Sequence, residues 1–372
     1  MLRIFIYEFT TGGGLLALGQ NALLAGLVAE GRAMVAALAA DFAAIEHLDV
    51  MFLADRRLTA KQIEVGRAHV VSNCDEANAA FDRLAADADW TVVIAPETGG
   101  HLLGYCRRVV ELGGRLLGPP PELVAIAADK QTTSQHLAAA GVRVPQGVAW
   151  AVGPPWPDDF PYPAIWKPRD GAGSQGLHYV PGADPCSASQ EIRTPAKDES
   201  SFWQAPGEGW LERYCPGLPA SVSVLCGPNG VTTLAPCRQL LTDDGRFRYI
   251  GGSIVMEPAL AERATKLAAE AVASLPEPRG YLGVDLVLGP GAGGDADFVI
   301  EINPRLTTSY VGLRAACESN LAEAMLAIAQ GQAFTVHFRN QPLRFTADGK
   351  VVKMTPVEGF KGSKQAWFNP AS

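Results

Sequence analysis

The stretch Gly280-Tyr281-Leu282-Gly283-Val284-Asp285-Leu286-Val287-Leu288 is followed, after a turn, by Asp297-Phe298-Val299-Ile300-Glu301-Ile302-Asn303-Pro304-Arg305. Leu282, Val284, Leu286 and Leu288 in the first run, and Phe298, Val299, Ile300 and Ile302 in the second, mark a buried strand pair. The turn between them, Gly289-Pro290-Gly291-Ala292-Gly293-Gly294, is rich in chain-reversing residues. Side chains alternate along a strand, so Glu301 and Asn303 project to one side. If the two strands form a hairpin, Asp285 reaches that side too. Isolated carboxylates are costly among apolar neighbours unless a cation joins them. Two carboxylates and an amide oxygen form a hard, all-oxygen donor set, suited to Mg²⁺ (or Mn²⁺) held together with substrate phosphates. The plainer alternative leaves both acids as solvated strand positions, and the apolar flanks weigh against it.

Upstream lies Trp166-Lys167-Pro168-Arg169-Asp170-Gly171-Ala172-Gly173-Ser174-Gln175-Gly176. A lysine ends a strand, and a loop with Gly171, Gly173, Ser174 and Gly176 follows. Glycines leave backbone N–H groups uncovered, so such a loop can close on phosphate oxygens. It is not a Walker A loop, because the lysine precedes the glycines. A flexible hairpin turn is the competing reading. A third motif, Trp210-Leu211-Glu212-Arg213-Tyr214-Cys215-Pro216-Gly217, breaks an apolar strand at a Pro-Gly turn. Free main-chain groups at such a break can read the edge of a base.

Farther out, Gly118-Pro119-Pro120-Pro121 reads as a boundary. A helix is expected from about 121 to 140, closed by Gly141. Before the boundary, short apolar strands (3–9, 47–53 and 90–95) alternate with helical stretches, which implies a parallel sheet of βαβ units. Two glycine-rich ends, Thr10-Thr11-Gly12-Gly13-Gly14 and Pro96-Glu97-Thr98-Gly99-Gly100, then lie on its carboxyl rim, where ligands gather. Gly12, Gly13, Glu97 and Gly99 are therefore candidate substrate contacts. Glu97 is suited to hold an ammonium, or else to cap a helix N-terminus. After residue 150, strands crowd together at 164–167, 176–180, 209–214, 221–226 and 231–241, as antiparallel hairpins would. Residues 181–208 read as a surface insertion. Helices are expected at 260–275 and 320–330, no fixed repeat is present, and the last twenty residues carry no pattern. The expected division is 1–118, 119–335 with a glycine-loop lobe at 150–215, and a tail at 336–372.

The chain has 372 residues, enough for two or three domains with large cores. With 31 basic and 39 acidic side chains its formal charge is −8. That argues against a nucleic-acid partner and against a polybasic membrane contact. The seven cysteines form no C-x-x-C pair and fit free thiols in a reducing cytoplasm. No signal peptide is visible, since the run Ile4-Phe5-Ile6-Tyr7 closes at Glu8. The six histidines are scattered and give Ser/His/Asp chemistry no support.

Taken as an ordered set, these motifs resemble the ATP-grasp superfamily over about residues 118–330, with the first third similar to the α/β domain that precedes it. The resemblance implies an N-terminal parallel βαβ (pre-ATP-grasp) domain followed by a two-lobed ATP-grasp α+β domain. It implies that Lys130, from Asp129-Lys130, and Lys167 contact ATP phosphates, and that the 171–176 loop folds over them. Main-chain groups of Arg213 and Cys215 would bind adenine with Glu212 beside it. Asp285, Glu301 and Asn303 would hold magnesium, and Arg305 would face the transferring phosphoryl group. One departure stands out: Leu218-Pro219-Ala220-Ser221 lacks the glutamate with which many members contact the ribose. Within the superfamily, the glycine-rich ends after Phe9 and Ala95, Arg238-Gln239 and Tyr249-Ile250-Gly251-Gly252 resemble carboxylate–amine ligases of the tyramine–glutamate ligase type. Such an enzyme takes small-molecule carboxylate and amine substrates through an acyl phosphate, with Arg238 and Arg305 as candidate oxyanion donors. For Arg238, an exposed salt bridge is the competing role. A homodimer is compatible with this reading. An ATP-binding regulatory or scaffold protein is the rival, and a biotin-type carboxylase is disfavoured because the chain has no Met-Lys-Met segment.

Overall fold

The computed structural model describes residues 1–17, 25–61, 63–151, 155–171, 176–183 and 208–354. The first unit contains β1 (Leu2–Glu8), α1 (Ala25–Ala43), β2 (Leu48–Asp55), β3 (Arg67–Val71), α2 (Cys74–Asp87), β4 (Trp90–Ile94) and α3 (His101–Glu111). Its four strands are all parallel, in the order β3-β2-β1-β4. The near-continuous apolar run of β1 is buried on both faces, as a central parallel strand requires. Strand β3 went unseen in the sequence because it is an edge strand with its first four residues largely exposed. β1 and β4 are neighbours, and Phe9 N–H donates to Ile94 O at 2.8 Å, so the two glycine-rich ends do share one rim.

The second unit opens with α4 (Pro121–Ala127) and α5 (Lys130–Ala139) in place of the single helix expected. The break has a local cause. Asp129 adopts an extended backbone, and its carboxylate accepts the Thr132 N–H as the cap of α5. A small antiparallel sheet follows, made of β5 (Gly147–Ala149), β6 (Ala164–Pro168), β7 (His178–Val180) and β8 (Gly209–Arg213), in the order β5-β8-β6-β7. The expected insertion at 181–208 falls mostly outside the described residues.

A larger sheet of eight strands comprises β9 (Leu218–Gly227), β10 (Gly230–Thr233), β11 (Cys237–Leu241), β12 (Tyr249–Ile254), β13 (Gly280–Leu288), β14 (Phe298–Asn303), β15 (Leu343–Thr346) and β16 (Val351–Lys353). Its order is β14-β13-β9-β11-β12-β15-β16, with β10 beside β9. The single strand expected over 231–241 divides at Pro236, which lacks the N–H a continuous ladder needs. The expected tail at 336–372 departs from expectation in its first half: β15 pairs with β12 and β16 with β15. Residues 355–372 lie outside the described residues.

Helix α6 (Pro258–Ala273) packs on one face of this sheet, sharing a core with α4, α5, β9 and β13. On the other face, α7 (Ser309–Ala316) and α8 (Leu321–Ala329) join α1 and the first sheet in one continuous core that includes Ile4, Leu38, Leu225, Tyr281 and Leu313. The two units are therefore packed together through apolar side chains. At the boundary, Gly280 adopts φ +69° with Gly118 so close that a Cβ would lie 2.5 Å from its Cα. No helix among the described residues is long and apolar enough to cross a membrane. The six described cysteines are free thiols; Cys186 lies outside the described residues.

Candidate active site

The hairpin β13–β14 forms as its sequence implies, and Asp285 stands directly opposite Glu301 in the register, with Gly283 opposite Asn303. A bulge follows Asp285. Asn303 Nδ2 donates to Asp285 Oδ2 at 3.1 Å, and Gln239 Nε2 donates to Asp285 Oδ1 at 2.9 Å. Burial, reinforced by the facing Glu301 charge, pushes the Asp285 carboxyl up to about 8. The three expected metal ligands are thus brought together. Gln239 joins them, a role the sequence reading did not give it.

Arg238 is not brought into this group, contrary to expectation. Successive side chains on β11 leave opposite faces, and it is Gln239 that reaches Asp285. Arg238 lies beside Arg344; burial first, and the Arg344 charge second, lower its pKa.

Two ammonium groups flank β14. Lys167, on β6, is only 2% exposed; its Nζ lies 2.7 Å from Glu212 Oε1 and 3.4 Å from Ile300 O. Lys130, the first residue of α5, points its Nζ at the Gly171 carbonyl and lies 3.7 Å from Glu301 Oε2. The helix break at Asp129 is what aims it. Asp129 also pairs with Arg169 at 2.6 Å, and Lys130 N–H donates to Arg169 O at 2.9 Å. Glu212, expected beside a base, is committed to Lys167. The Arg213 N–H donates to Gln146 O at 2.8 Å, and its carbonyl accepts the Cys215 thiol at 3.6 Å. The Cys215 thiol is pushed up to about 12 by burial, which makes it a packing group and not a nucleophile. Gly176 adopts φ +70° beside Pro168; Gly173 and Ser174 lie outside the described residues.

The rim of the first sheet meets this assembly at two points. Arg305 pairs with Glu97, Nε to Oε1 at 3.0 Å and Nη2 to Oε2 at 3.1 Å. The structure places the two expected site residues against each other across the two units. Thr98 Oγ1 donates to Asp170 O, and Gly99 N–H to Asp170 Oδ2, both at 2.9 Å. Gly12 and Gly13 belong to a turn organised from within. The Glu8 carboxylate accepts the Thr10 and Thr11 N–H groups and both hydroxyls, and Gly12 N–H donates to Glu8 O.

Among the described residues no three His, Cys, Asp or Glu side chains are grouped to hold a metal ion. Asp285, Glu301 and the Asn303 amide could offer hard oxygen donors to a cation, to be completed by phosphate oxygens and water. The arrangement can hold a polyphosphate between two lysines, with a divalent cation between that polyphosphate and the hairpin.

Comparisons with known proteins bear on the fold and the family. The family model described as ATP-grasp domain matches residues 127–309, and the one described as pre ATP-grasp 3 domain matches residues 48–146. A tyramine–L-glutamate ligase of Methanocaldococcus fervens is 29% identical over 140 residues, which is 38% of this chain and 41% of that protein. The chain thus spans about two fifths of the length of the curated relatives it matches. Among solved structures, an ATP-grasp superfamily protein from Archaeoglobus fulgidus superposes with a TM-score of 0.66 at 21% identity, covering 92% of each chain. N5-carboxyaminoimidazole synthetase from Staphylococcus aureus, complexed with ADP, superposes with a TM-score of 0.67 at 15% identity over 99% of this chain and 97% of that one. At such identities these structures show the fold alone.

Proposed function

We propose that this chain, which belongs to the ATP-grasp superfamily, is an ATP- and Mg²⁺-dependent ligase that joins a carboxylate to an amine. The observation that carries the reading is the convergence of Lys130 and Lys167, from separate elements, on the strand that bears Glu301 and Asn303. The carboxylate is an amino acid such as glutamate, and tyramine is the first amine to test, because the curated relatives are named for that pair. A reducing, cytoplasmic setting fits the free thiols.

In the first step a substrate carboxylate oxygen bonds to the γ-phosphorus of ATP, the bond to ADP breaks, and an acyl phosphate forms. In the second, the amine nitrogen bonds to the acyl carbon, phosphate leaves and the nitrogen loses a proton. Asp285, Glu301 and Asn303 would hold Mg²⁺, which supplies charge neutralisation for the triphosphate. Lys130 and Lys167 offset the remaining phosphate charge, each rotating from its present partner onto an oxygen. Arg305, held by Glu97 through Nε and Nη2 and by the Leu306 carbonyl through Nη1, lies just past the end of β14 and would turn part of its fork toward substrate. It is the side chain best placed to stabilise the developing oxyanion. Glu97 keeps that fork oriented, and the buried setting keeps water from the acyl phosphate.

The rival, a regulatory ATP-binding protein, is disfavoured because both lysines and all three oxygen ligands stand in one place. The test is an ADP-release screen of amino acids paired with amines. ADP release should require both partners and be lost in Glu301→Ala. Tight nucleotide binding with no ADP release from any pair would favour the rival.

A further inference from the structure

We infer that Asp170 is a positioning residue that fastens the phosphate-binding region to the Thr98-Gly99 turn of the first unit. The inference rests on the nucleotide reading above and concerns how the site is coupled. Among the described residues, the contacts of the Asp170 side chain run to the Thr98-Gly99 turn and not to a lysine, Asp285, Glu301 or Asn303.

Three successive residues at the root of the glycine-rich stretch each offer a carbonyl, and each carbonyl is taken. Arg169 O accepts Lys130 N–H at 2.9 Å, Asp170 O accepts Thr98 Oγ1 at 2.9 Å, and Gly171 O accepts Lys130 Nζ. The Asp170 carboxylate then accepts Gly99 N–H at 2.9 Å. Residues 169–171 are thus gripped on one side by a phosphate lysine and on the other by the first unit. The Thr98 hydroxyl belongs to a buried residue, so it needs the partner it has. Gly99 and Gly100 both adopt positive φ, +65° and +68°, and precede α3. An N–H presented at a helix start favours a carboxylate acceptor. The neighbouring Glu97 holds Arg305. One short turn therefore reaches both the oxyanion arginine and the root of the phosphate loop.

The consequence is a physical link. A ligand that shifts the 97–99 turn shifts Asp170, and with it the carbonyls that fix Lys130. Coupling of this kind is reciprocal: substrate at the turn changes nucleotide affinity and nucleotide changes substrate affinity by the same factor.

The test titrates the full chain with β,γ-imido-ATP and Mg²⁺ by calorimetry, with thermal unfolding run in parallel. Asp170→Ala, which removes the carboxylate but keeps the carbonyl that Thr98 uses, should weaken nucleotide binding about five- to tenfold, the order of one lost hydrogen bond to a charged group. Asp170→Asn keeps an acceptor for the Gly99 N–H and should bind within about twofold of the unmodified chain. Thr98→Val removes the other bond at the same junction, so its effect and that of Asp170→Ala should be less than additive in the double variant. Thr98→Val alone should weaken binding at least about threefold, and this arm stands if Asp170→Ala does not fold. Failure of the unmodified chain to bind the nucleotide would remove the functional reading itself. Binding by the unmodified chain with unchanged affinity in the variants, or with strictly additive effects, would overturn the role of Asp170.

Discussion

Glu97 and Arg305 stand 208 positions apart in the chain and meet through one hydrogen bond, Nη2 to Oε2 at 3.1 Å, and one further ion-pair contact, Nε to Oε1 at 3.0 Å. One follows the first unit's last strand; the other ends the hairpin that carries Asp285 and Glu301. Their side chains are 6% and 14% exposed, so this is a largely desolvated pair spanning two units. An ion pair in that setting adds little net stability, yet losing one partner strands the other charge in a poor solvent.

Glu97→Ala should accordingly cost about 3 kcal/mol or more of stability, near the range for breaking a buried pair. Urea unfolding of the two proteins measures it. Glu97→Gln, which leaves an acceptor for one arm of the fork, should lose less. Equal stability for Glu97→Ala and the unmodified chain would mean that the pair opens in solution.

The Lys167–Glu212 pair is buried as deeply, so a lysine variant confounds two effects. Lys167→Met should lower turnover roughly a hundredfold or more, the scale for losing one preorganised charge stabiliser. It should also destabilise the fold by stranding Glu212. Lys167→Met combined with Glu212→Gln removes both charges and should recover thermal stability without recovering turnover. Recovery of both would assign Lys167 a structural role only.

Asp285 gives a pH dependence with a definite sign. Its folded pKa is raised, to about 8, above the unfolded carboxylate value of about 3.9. Between those values the folded chain keeps a proton that the unfolded chain has released, so its contribution to stability falls as pH rises. In metal-free buffer, the melting temperature of Asp285→Asn should gain on that of the unmodified chain from about pH 4 up to pH 8 and level off above it. Mg²⁺ with nucleotide should oppose the trend by favouring the carboxylate. A difference that is flat with pH would remove the raised carboxyl.

Much of this was legible in the sequence because strands write their burial as alternation and apolar runs. Asp285, Glu301 and Asn303 could be assigned to one face from Val284, Leu286 and Ile302 alone. The rim glycines could be paired because parallel β1 and β4 carry obvious core residues. What escaped had no periodic signature. The break between α4 and α5 depends on one carboxylate choosing to cap, where the surrounding residues would equally continue a helix. The Glu97–Arg305 and Asp170–Gly99 contacts are long-range meetings of polar groups, set by how two units pack. Strands β15 and β16 are too short, and β16 too exposed, to stand out from a tail.

The choice between Arg238 and Gln239 is the sharpest case, because adjacent residues on one strand make opposite predictions. Gln239 fixes one oxygen of Asp285 while Asn303 fixes the other. With both oxygens tethered, the carboxylate is held against rotation, and its remaining lone pairs would keep one direction toward a bound cation. Gln239→Leu preserves bulk and removes the donor. It should raise the Mn²⁺ concentration needed for half-saturation, read by electron paramagnetic resonance in the presence of ADP, by roughly tenfold, as lost partners of metal ligands do. Arg238→Ala, on the opposite face of β11, should leave Mn²⁺ binding little changed, since its side chain leaves the face that carries Asp285. If Arg238→Ala impaired Mn²⁺ binding and Gln239→Leu did not, the facing of β11 toward the carboxylates would be reversed, and Arg238 would return as the oxyanion donor.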